Sequence, residues 1–267
     1  MSNRLEAAAK ALRDANKRGI APYITAGDGG MEASLAVLHA LDQGGADWVE
    51  LGIPFSDPIA DGPVLQAASE RALEAGASLN SALEMLSAFR SEGGSIPVAL
   101  MSYANPLMRH GLAATAVRIV DAGGDALIVP DIPLEEGDEL EAAAVAAGLC
   151  PVFFAAPTSS DERIRQAGAR SRGFLYVVGR IGVTGGGTNF DADTQAFLKR
   201  ARTLSAVPIA VGFGIDSADA VRAATIHADF AIVGTALVRH LHQHGETGDS
   251  RAAAASSFLN ELRLGLN

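Results

Sequence analysis

Short segments rich in Val, Ile and Leu recur along the chain. Each precedes Gly, Pro or Asp and then a stretch of Ala, Leu, Glu and Arg with helical spacing. The eight segments are residues 20–27, 47–54, 96–103, 126–133, 151–157, 174–180, 208–214 and 230–235. Because they are apolar at nearly every position, they are predicted to be parallel strands covered on both faces. Eight βα units in 267 residues favour a single-domain (β/α)8 TIM barrel spanning residues 1–267.

Two features modify this simple repeat. Residues 1–19 show a charged helical pattern, which predicts an additional N-terminal helix. The spacing from Val49 to Val98 is 49 positions, against 29 from Val98 to Leu127. The excess predicts an enlarged loop after strand two, at 55–63, and two helices, at 64–75 and 79–92. A doubly wound open sheet is the alternative, but no G-x-G-x-x-G motif opens a helix after any strand.

Composition narrows the class of protein. Hydrophobic residues make up 48% and charged residues 19%, which excludes a disordered chain. The net charge of −10, with no Lys/Arg cluster, argues against a nucleic-acid binder. With one cysteine, Cys150, no internal disulfide can form. No apolar leader or membrane-spanning run is found, so we expect a soluble cytoplasmic protein.

Two acidic residues are candidates for chemistry. Strand alternation places Val49, Leu51 and Ile53 on one face and Glu50 on the other, towards the barrel interior. Burial there raises a carboxyl pKa towards the range useful for acid–base catalysis, although a buried ion pair with an arginine is the alternative. Asp61 follows in the Pro-flanked loop; taken alone it is an ordinary turn residue, but above a buried Glu it completes a carboxylate pair.

Glycine clusters follow the last three predicted strands, at residues 182–187, 212–215 and 234–235. Backbone N–H groups at such corners can hold a phosphate, and barrels often place phosphate there. The alternative is that these glycines only form tight turns. An acidic chain repels phosphate unless a local group attracts it. The last two clusters contain no Lys or Arg, so backbone N–H dipoles would have to supply that attraction.

The residues that are missing also discriminate between functions. None of the three lysines, Lys10, Lys17 and Lys199, lies at the carboxyl end of a predicted strand, which excludes a Schiff-base enzyme. The histidines at 240, 242 and 244 lie at the far end of a helix, so we predict a solvated helix end and no metal site. Cys150 is predicted to be a buried structural thiol.

Residues 50–63, ELGIPFSDPIADGP, place two acids eleven positions apart. This segment is similar to the signature of the tryptophan synthase alpha chain family. Further similarities are PYITAGD at 22–28, YANP at 103–106, DIP at 131–133, GVTG at 182–185 and GFG at 212–214. The resemblance extends over roughly residues 20–238. Gly29 departs from it, because the family usually has proline there, and a looser loop after strand one is expected.

The resemblance implies a lyase that cleaves indole-3-glycerol phosphate to indole and glyceraldehyde 3-phosphate. It implies no cofactor on this chain, and a beta-subunit partner that carries pyridoxal phosphate in an alpha2beta2 heterotetramer. By position, Glu50 would shuttle the proton and Asp61 would accept the indole N–H. Substrate would contact Tyr23, Leu100, Tyr103, Leu127, Tyr176, Thr184, Gly185, Phe213, Gly214, Gly234 and Thr235. Asp57 and Thr184 would close the site and face the partner.

Three other functions stay open at this point. A different phosphate-binding barrel enzyme, such as a sugar-phosphate isomerase, would share the glycine clusters but need not carry the Glu50 and Asp61 signature. A stand-alone indole-3-glycerol phosphate lyase would need no partner. A catalytically silent subunit would only bind and activate a beta partner.

Overall fold

The computed structural model describes residues 3–179, 190–212, 214–245 and 247–267. Nine strands form one parallel sheet in the order β5-β4-β3-β2-β1-β9-β8-β7-β6. Their bounds are β1 Gly19–Thr25, β2 Val49–Gly52, β3 Val98–Met101, β4 Ala126–Ile128, β5 Cys150–Val152, β6 Phe154–Ala155, β7 Leu175–Val178, β8 Ile209–Gly212 and β9 Phe230–Val233. Each predicted segment except the fifth corresponds to one of these strands, to within one residue at its start, followed by the loop at the carboxyl end of that strand.

The fifth predicted strand forms as two short pieces. β5 pairs with β4, and β6 pairs with β7, so that the two pieces close the barrel. Phe153 lies between them, and its carbonyl accepts a hydrogen bond of 3.0 Å from the backbone nitrogen of Tyr176. Counted as one strand, β5 and β6 give the predicted eight-stranded barrel, which is confirmed.

Helices surround the sheet and fill the predicted insertion. α3 and α4 both lie between β2 and β3, separated at Gly76, which has a φ of 82°. The bounds are α1 Arg4–Asp14, α2 Met31–Gln43, α3 Pro63–Glu74, α4 Leu79–Ser91, α5 Ala104–Met108, α6 Leu112–Asp121, α7 Asp138–Ala147, α8 Asp161–Arg170, α9 Ala192–Leu204, α10 Ala218–Ala224, α11 Thr235–His244 and α12 Gly248–Arg263, with 3-10 turns at Leu134–Glu136 and Leu264–Leu266.

Alternation along the strands creates two cores. Val49, Leu51 and Ile53 pack with the helix layer, as predicted. Trp48 points inward, where its ring lies 4.9 Å from that of Phe174 and 4.3 Å from that of Phe230. Leu5 of α1 belongs to this inner cluster, so α1 covers the amino end of the barrel. Among the described residues, no helix is long and apolar enough to span a bilayer.

An aspartate precedes three of the strands and ties neighbouring strands together. The carboxylates of Asp47, Asp125 and Asp229 accept the backbone N–H groups of Ile20, Val98 and Ile209, at 2.7, 2.8 and 2.9 Å. These contacts replace water at otherwise unpaired strand ends. The carboxylates of these three aspartates therefore hold neighbouring strands together at the amino end of the barrel.

Candidate active site

Glu50 projects from β2 into the barrel interior, level with Tyr23 on β1. Its side chain is buried, with only 1% of the residue exposed. Within the described part of the chain, its Oε2 atom has no hydrogen-bond partner. The alternative of an arginine ion pair is therefore not seen there. Burial, reinforced by the nearby charge of Asp61, raises the pKa of Glu50 to about 8.

Asp61 lies in the loop between β2 and α3 and is also buried. Its backbone nitrogen donates to Pro58, and its carbonyl accepts from Gln66 Nε2 at 2.8 Å, so the loop closes on α3. Burial raises the pKa of Asp61 to about 6, although a hydrogen bond from Tyr103 works in the opposite direction. The two acids are thus held with different proton affinities at one site.

Tyr103 follows β3 and anchors this loop. Its hydroxyl oxygen accepts a hydrogen bond of 3.1 Å from the backbone nitrogen of Ala60. Its ring stacks on Phe55, with centroids 5.3 Å apart. The start of α5 is fixed in turn by Asp131, whose carboxylate accepts the N–H of Ala104 at 2.9 Å.

Tyr23 and Tyr176 flank the acids from two other strands. Burial raises the pKa of both phenols, and the charges of Asp61 and Glu50 raise it further. Both rings need glycine beside them. A Cβ on Gly52 would lie 2.1 Å from the Tyr23 hydroxyl, and a Cβ on Gly212 would lie 2.4 Å from that of Tyr176.

Leu100 and Leu127 were predicted to line the substrate pocket, and this prediction is wrong. They pair across β3 and β4 but belong to the cluster beneath the helix layer. A Cβ on Gly124 would contact Leu100 and Ile119 together, which places Leu100 against α6. Their neighbours Met101 and Ile128 pack in the inner cluster instead.

Phe154 is a further residue of the site that the sequence did not single out. It packs with the inner cluster, and its ring centroid is 4.9 Å from that of Tyr176. Phe154 also lines a cavity of about 340 Å³ beside the loop that follows β4. The break in the strand at Phe153 hid its orientation, because alternation could not be followed across the interruption.

The predicted phosphate end is described only in part. Gly214 has a φ of 63°, and Gly234 precedes the first turn of α11, which begins at Thr235. No side chain caps this helix start among the described residues. Thr184, Gly185 and Phe213, also predicted to bind substrate, lie outside the described residues.

Other candidates lie away from the carboxyl ends of the strands. Lys10 is on α1, Lys17 precedes β1, and Lys199 is on α9. Cys150 is buried, as predicted. The rings of His240 and His244 stack at the end of α11, with centroids 4.3 Å apart. In the described ranges, no group of three or more potential metal ligands occurs.

Comparison with known proteins places this geometry in a family. The family model described as tryptophan synthase alpha chain matches residues 9–265. The alpha chain of Bordetella parapertussis is 40% identical, covering 100% of this chain and 96% of the relative. That of Burkholderia ambifaria is 42% identical, covering 99% and 97%.

Solved structures agree with the sequence relatives. Tryptophan synthase subunit alpha of Legionella pneumophila superposes with a TM-score of 0.91 at 33% identity, covering 100% of this chain and 99% of that one. Tryptophan synthase of Mycobacterium tuberculosis gives a TM-score of 0.88 at 31% identity, covering 100% and 99%. With a family model along nearly its whole length, and the predicted acids together at the barrel mouth, this chain belongs to the tryptophan synthase alpha chain family.

Proposed function

We propose that Glu50 and Asp61 perform the reaction of this family in the present chain. The family's alpha subunit is a lyase that cleaves indole-3-glycerol phosphate to indole and glyceraldehyde 3-phosphate in tryptophan synthesis. The observation that carries the assignment is the unpaired, buried Oε2 of Glu50 beside a second buried acid. An unpaired buried carboxyl is costly unless a ligand or a reaction uses it.

The reaction is a retro-aldol cleavage in which a carbon of the indole ring leaves. In the first step, protonated Glu50 gives its proton to C3 of the indole, and the ring becomes an indolium cation. In the second, the carboxylate takes the proton of the adjacent glycerol hydroxyl. The carbon–carbon bond then breaks, its electron pair returns to the ring, and the hydroxyl carbon becomes the aldehyde. Glu50 ends protonated again, and such proton transfer contributes about 10²–10⁴-fold.

Asp61 supports this cycle as an anion. Its carboxylate would accept the indole N–H and stabilise the positive charge that forms when C3 is protonated. The hydrogen bond from Tyr103 favours the ionised form of Asp61 and opposes the effect of its burial. Because the pKa of Glu50 is higher than that of Asp61, Glu50 can be protonated while Asp61 is ionised, as the two roles require.

The remaining contacts follow from which side chains face inward. Tyr23, Tyr103 and Tyr176 would surround the indole, with Met101, Ile128 and Phe154 in place of Leu100 and Leu127. Gly214, Gly234 and Thr235 would hold the phosphate through backbone N–H groups and the start of α11. Thr184, Gly185 and Phe213 stay predicted contacts.

Alpha chains of this family partner with a beta subunit. We propose that the loop carrying Asp57 faces that partner, together with Thr184. Asp57 is exposed, and Ile59, two residues on, is 75% exposed although it is apolar. A partner that packs on the exposed side chain of Ile59 would close the loop that carries Asp61 and exclude water from the site. An alpha2beta2 assembly, with pyridoxal phosphate on beta and no cofactor on this chain, completes the proposal.

We further propose a single-domain organisation and a cytoplasmic location for this chain. Residues 1–267 form one domain, supported by a helix-layer core that includes residues from Ile20 to Leu262. We also propose that the enzyme works in the cytoplasm, as expected for a member of this biosynthetic enzyme family.

The test is indole release from indole-3-glycerol phosphate, by this chain alone and with a beta subunit added. We expect slow release that rises sharply with beta. The Glu50→Gln variant should release none, while Glu84→Gln, an exposed residue on α4, should match the unmodified chain. Equally fast release without beta would indicate a stand-alone lyase. No release from folded chain would contradict the catalytic assignment and leave activation of beta as its role.

A further inference from the structure

The turn after β1 contains an ion cluster that the proposed chemistry does not use. The carboxylate of Asp28 accepts two hydrogen bonds from Arg71, from Nε to Oδ1 and from Nη2 to Oδ2, each 2.8 Å long. Arg251 approaches the same carboxylate, with Nη2 3.4 Å from Oδ2. Asp28 and Arg251 are buried, so their charges face little solvent and interact strongly.

Arg251 reaches Asp28 because Gly29 leaves room. A Cβ on Gly29 would lie 2.7 Å from Cζ of Arg251, inside the space that the guanidinium occupies. Gly29 also has a φ of 89°, which favours glycine. Glycine was expected to loosen this turn, but the structure instead fills the space with an arginine that ties the turn to α12.

The two arginines come from different helices, α3 and α12. Arg71 lies on α3, the helix that begins two residues after Asp61. Arg251 lies on α12, which packs against α11. Its Nη1 is 3.5 Å from the carbonyl of Gly245, the residue after α11. Thr235 is at the start of the same helix α11.

Side-chain packing joins these helices at the pocket itself. Tyr23 lies in one apolar cluster with Leu65 and Ala68 of α3 and Val238 of α11. A shift of α3 relative to α11 would therefore move a pocket wall as well as the Asp61 loop. Errors of about 1 Å in the placement of reacting groups can cost about 100-fold in rate.

We infer that Asp28 is a positioning residue, which through Arg71 and Arg251 sets the distance between the Asp61 loop and the phosphate-binding start of α11. This inference rests on the proposed function of Asp61 and α11. Asp28 does not touch the substrate in this scheme. It acts through two helices, and each arginine transmits its effect to a different part of the site.

The chain contains a matched control for loss of stability alone. Asp229, buried near the amino end of the barrel, also binds two arginines, Arg202 at 3.0 Å and Arg18 at 3.9 Å. The Arg202 side chain is 34% exposed and that of Arg71 is 31% exposed. Arg202→Met therefore removes a similar charge from a similar cluster, but at the end of the barrel away from the acids.

The experiment compares Arg71→Met, Arg251→Met and Arg202→Met with beta subunit present, measuring kcat and KM for indole-3-glycerol phosphate and thermal unfolding. We expect kcat of Arg71→Met to fall about 10- to 100-fold, because Asp61 is displaced. For Arg251→Met we expect mainly a higher KM, because the phosphate end moves. Arg202→Met should lower the unfolding temperature while kcat/KM stays within about threefold, as expected for a distant site.

Arg71→Lys keeps the charge and should recover part of kcat, and it serves as the second variant if Arg71→Met does not fold. Equal kinetics for Arg71→Met and Arg202→Met at equal loss of stability would overturn the inference. This result differs from failure of the proposed function, in which the unmodified chain itself would release no indole.

Discussion

The hydroxyl oxygen of Tyr103 lies 3.1 Å from the backbone nitrogen of Ala60 and accepts its hydrogen bond. Ala60 is the residue immediately before Asp61, whose carboxylate accepts a hydrogen bond from the Tyr103 hydroxyl. One side chain after β3 therefore fixes both the backbone and the charge of the catalytic loop after β2.

Replacing Tyr103 with Phe tests this anchor. The ring and its stack on Phe55 are retained, but both hydrogen bonds are lost. A hydrogen bond to a charged group contributes about 1.5–3 kcal/mol, so kcat/KM should fall about 10- to 100-fold. The Asp61 pKa should rise, because the bond from Tyr103 lowers it. Steady-state kinetics that match the unmodified chain at every pH would contradict the anchoring role.

The activity should depend on pH in a bell shape. Asp61, with a pKa of about 6, must be ionised, and Glu50, with a pKa of about 8, must begin protonated. We expect kcat/KM to fall below pH 6 and above pH 8, with both limits belonging to the coupled pair. Asp61→Asn should lower activity at every pH, because the anion is lost, and its residual activity should show no acidic limit and an alkaline limit at lower pH, since the Asp61 charge raises the Glu50 pKa. Indole release measured from pH 5 to 9 provides the test, and an unmoved alkaline limit would refute the coupling.

The raised pKa of Glu50 should also make the folding stability depend on pH, which can be measured without an activity assay. The pKa rises from an ordinary 4.5 to about 8, so between these values the folded chain holds a proton that the unfolded chain has lost. The stabilisation that this bound proton contributes to the folded state is fully present below pH 4.5 and is lost as pH rises through 8. Glu50→Gln avoids this loss, and its unfolding temperature relative to the unmodified chain should be several degrees higher at pH 8 than at pH 5. Glu84→Gln is the control, and a difference independent of pH would contradict the prediction.

Gly52 should tolerate no side chain. Gly52→Ala would place a Cβ 2.1 Å from the Tyr23 hydroxyl, and the ring would have to move from the pocket wall. We expect a higher KM and a loss of about 1–3 kcal/mol of stability, the usual cost of overpacking. Adding Tyr23→Phe should restore part of both. Gly248→Ala, where the nearest atom lies 3.6 Å away, is the matched control. An additive double variant would argue against the contact.

The sequence predicts the face of a strand only where a polar residue distinguishes its two sides. In β2, Glu50 is the one charged residue among apolar neighbours, and its inward direction was predicted correctly. In β3 and β4 both faces are apolar, so Leu100 and Met101 are equivalent by composition. Choosing between them needed the structure, because alternation gives two faces and does not say which is inside.

The ion cluster of Asp28, Arg71 and Arg251 could not be predicted from the sequence, for a different reason. Asp28 and Arg71 are 43 positions apart, and Arg251 is on the last long helix. Ion pairs between distant positions leave no periodic trace in one sequence. The glycine at 29 was the only local signal, and read alone it suggested a looser turn.

The strand interruption at Phe153 determines where the barrel is expected to open by local unfolding. Among the described residues, β1 pairs with both of its neighbours, whereas on the far side β5 pairs only with β4, and the two-residue β6 only with β7. Because the regular pairing is interrupted at Phe153, we expect this part of the barrel, on the side opposite β1, to open first in the native ensemble. Amide hydrogen exchange would then be earliest at Val152 and Ala155 among the strands. A ligand that contacts both Glu50 on β2 and Tyr176 on β7 would hold the two sides of the barrel together and slow this opening.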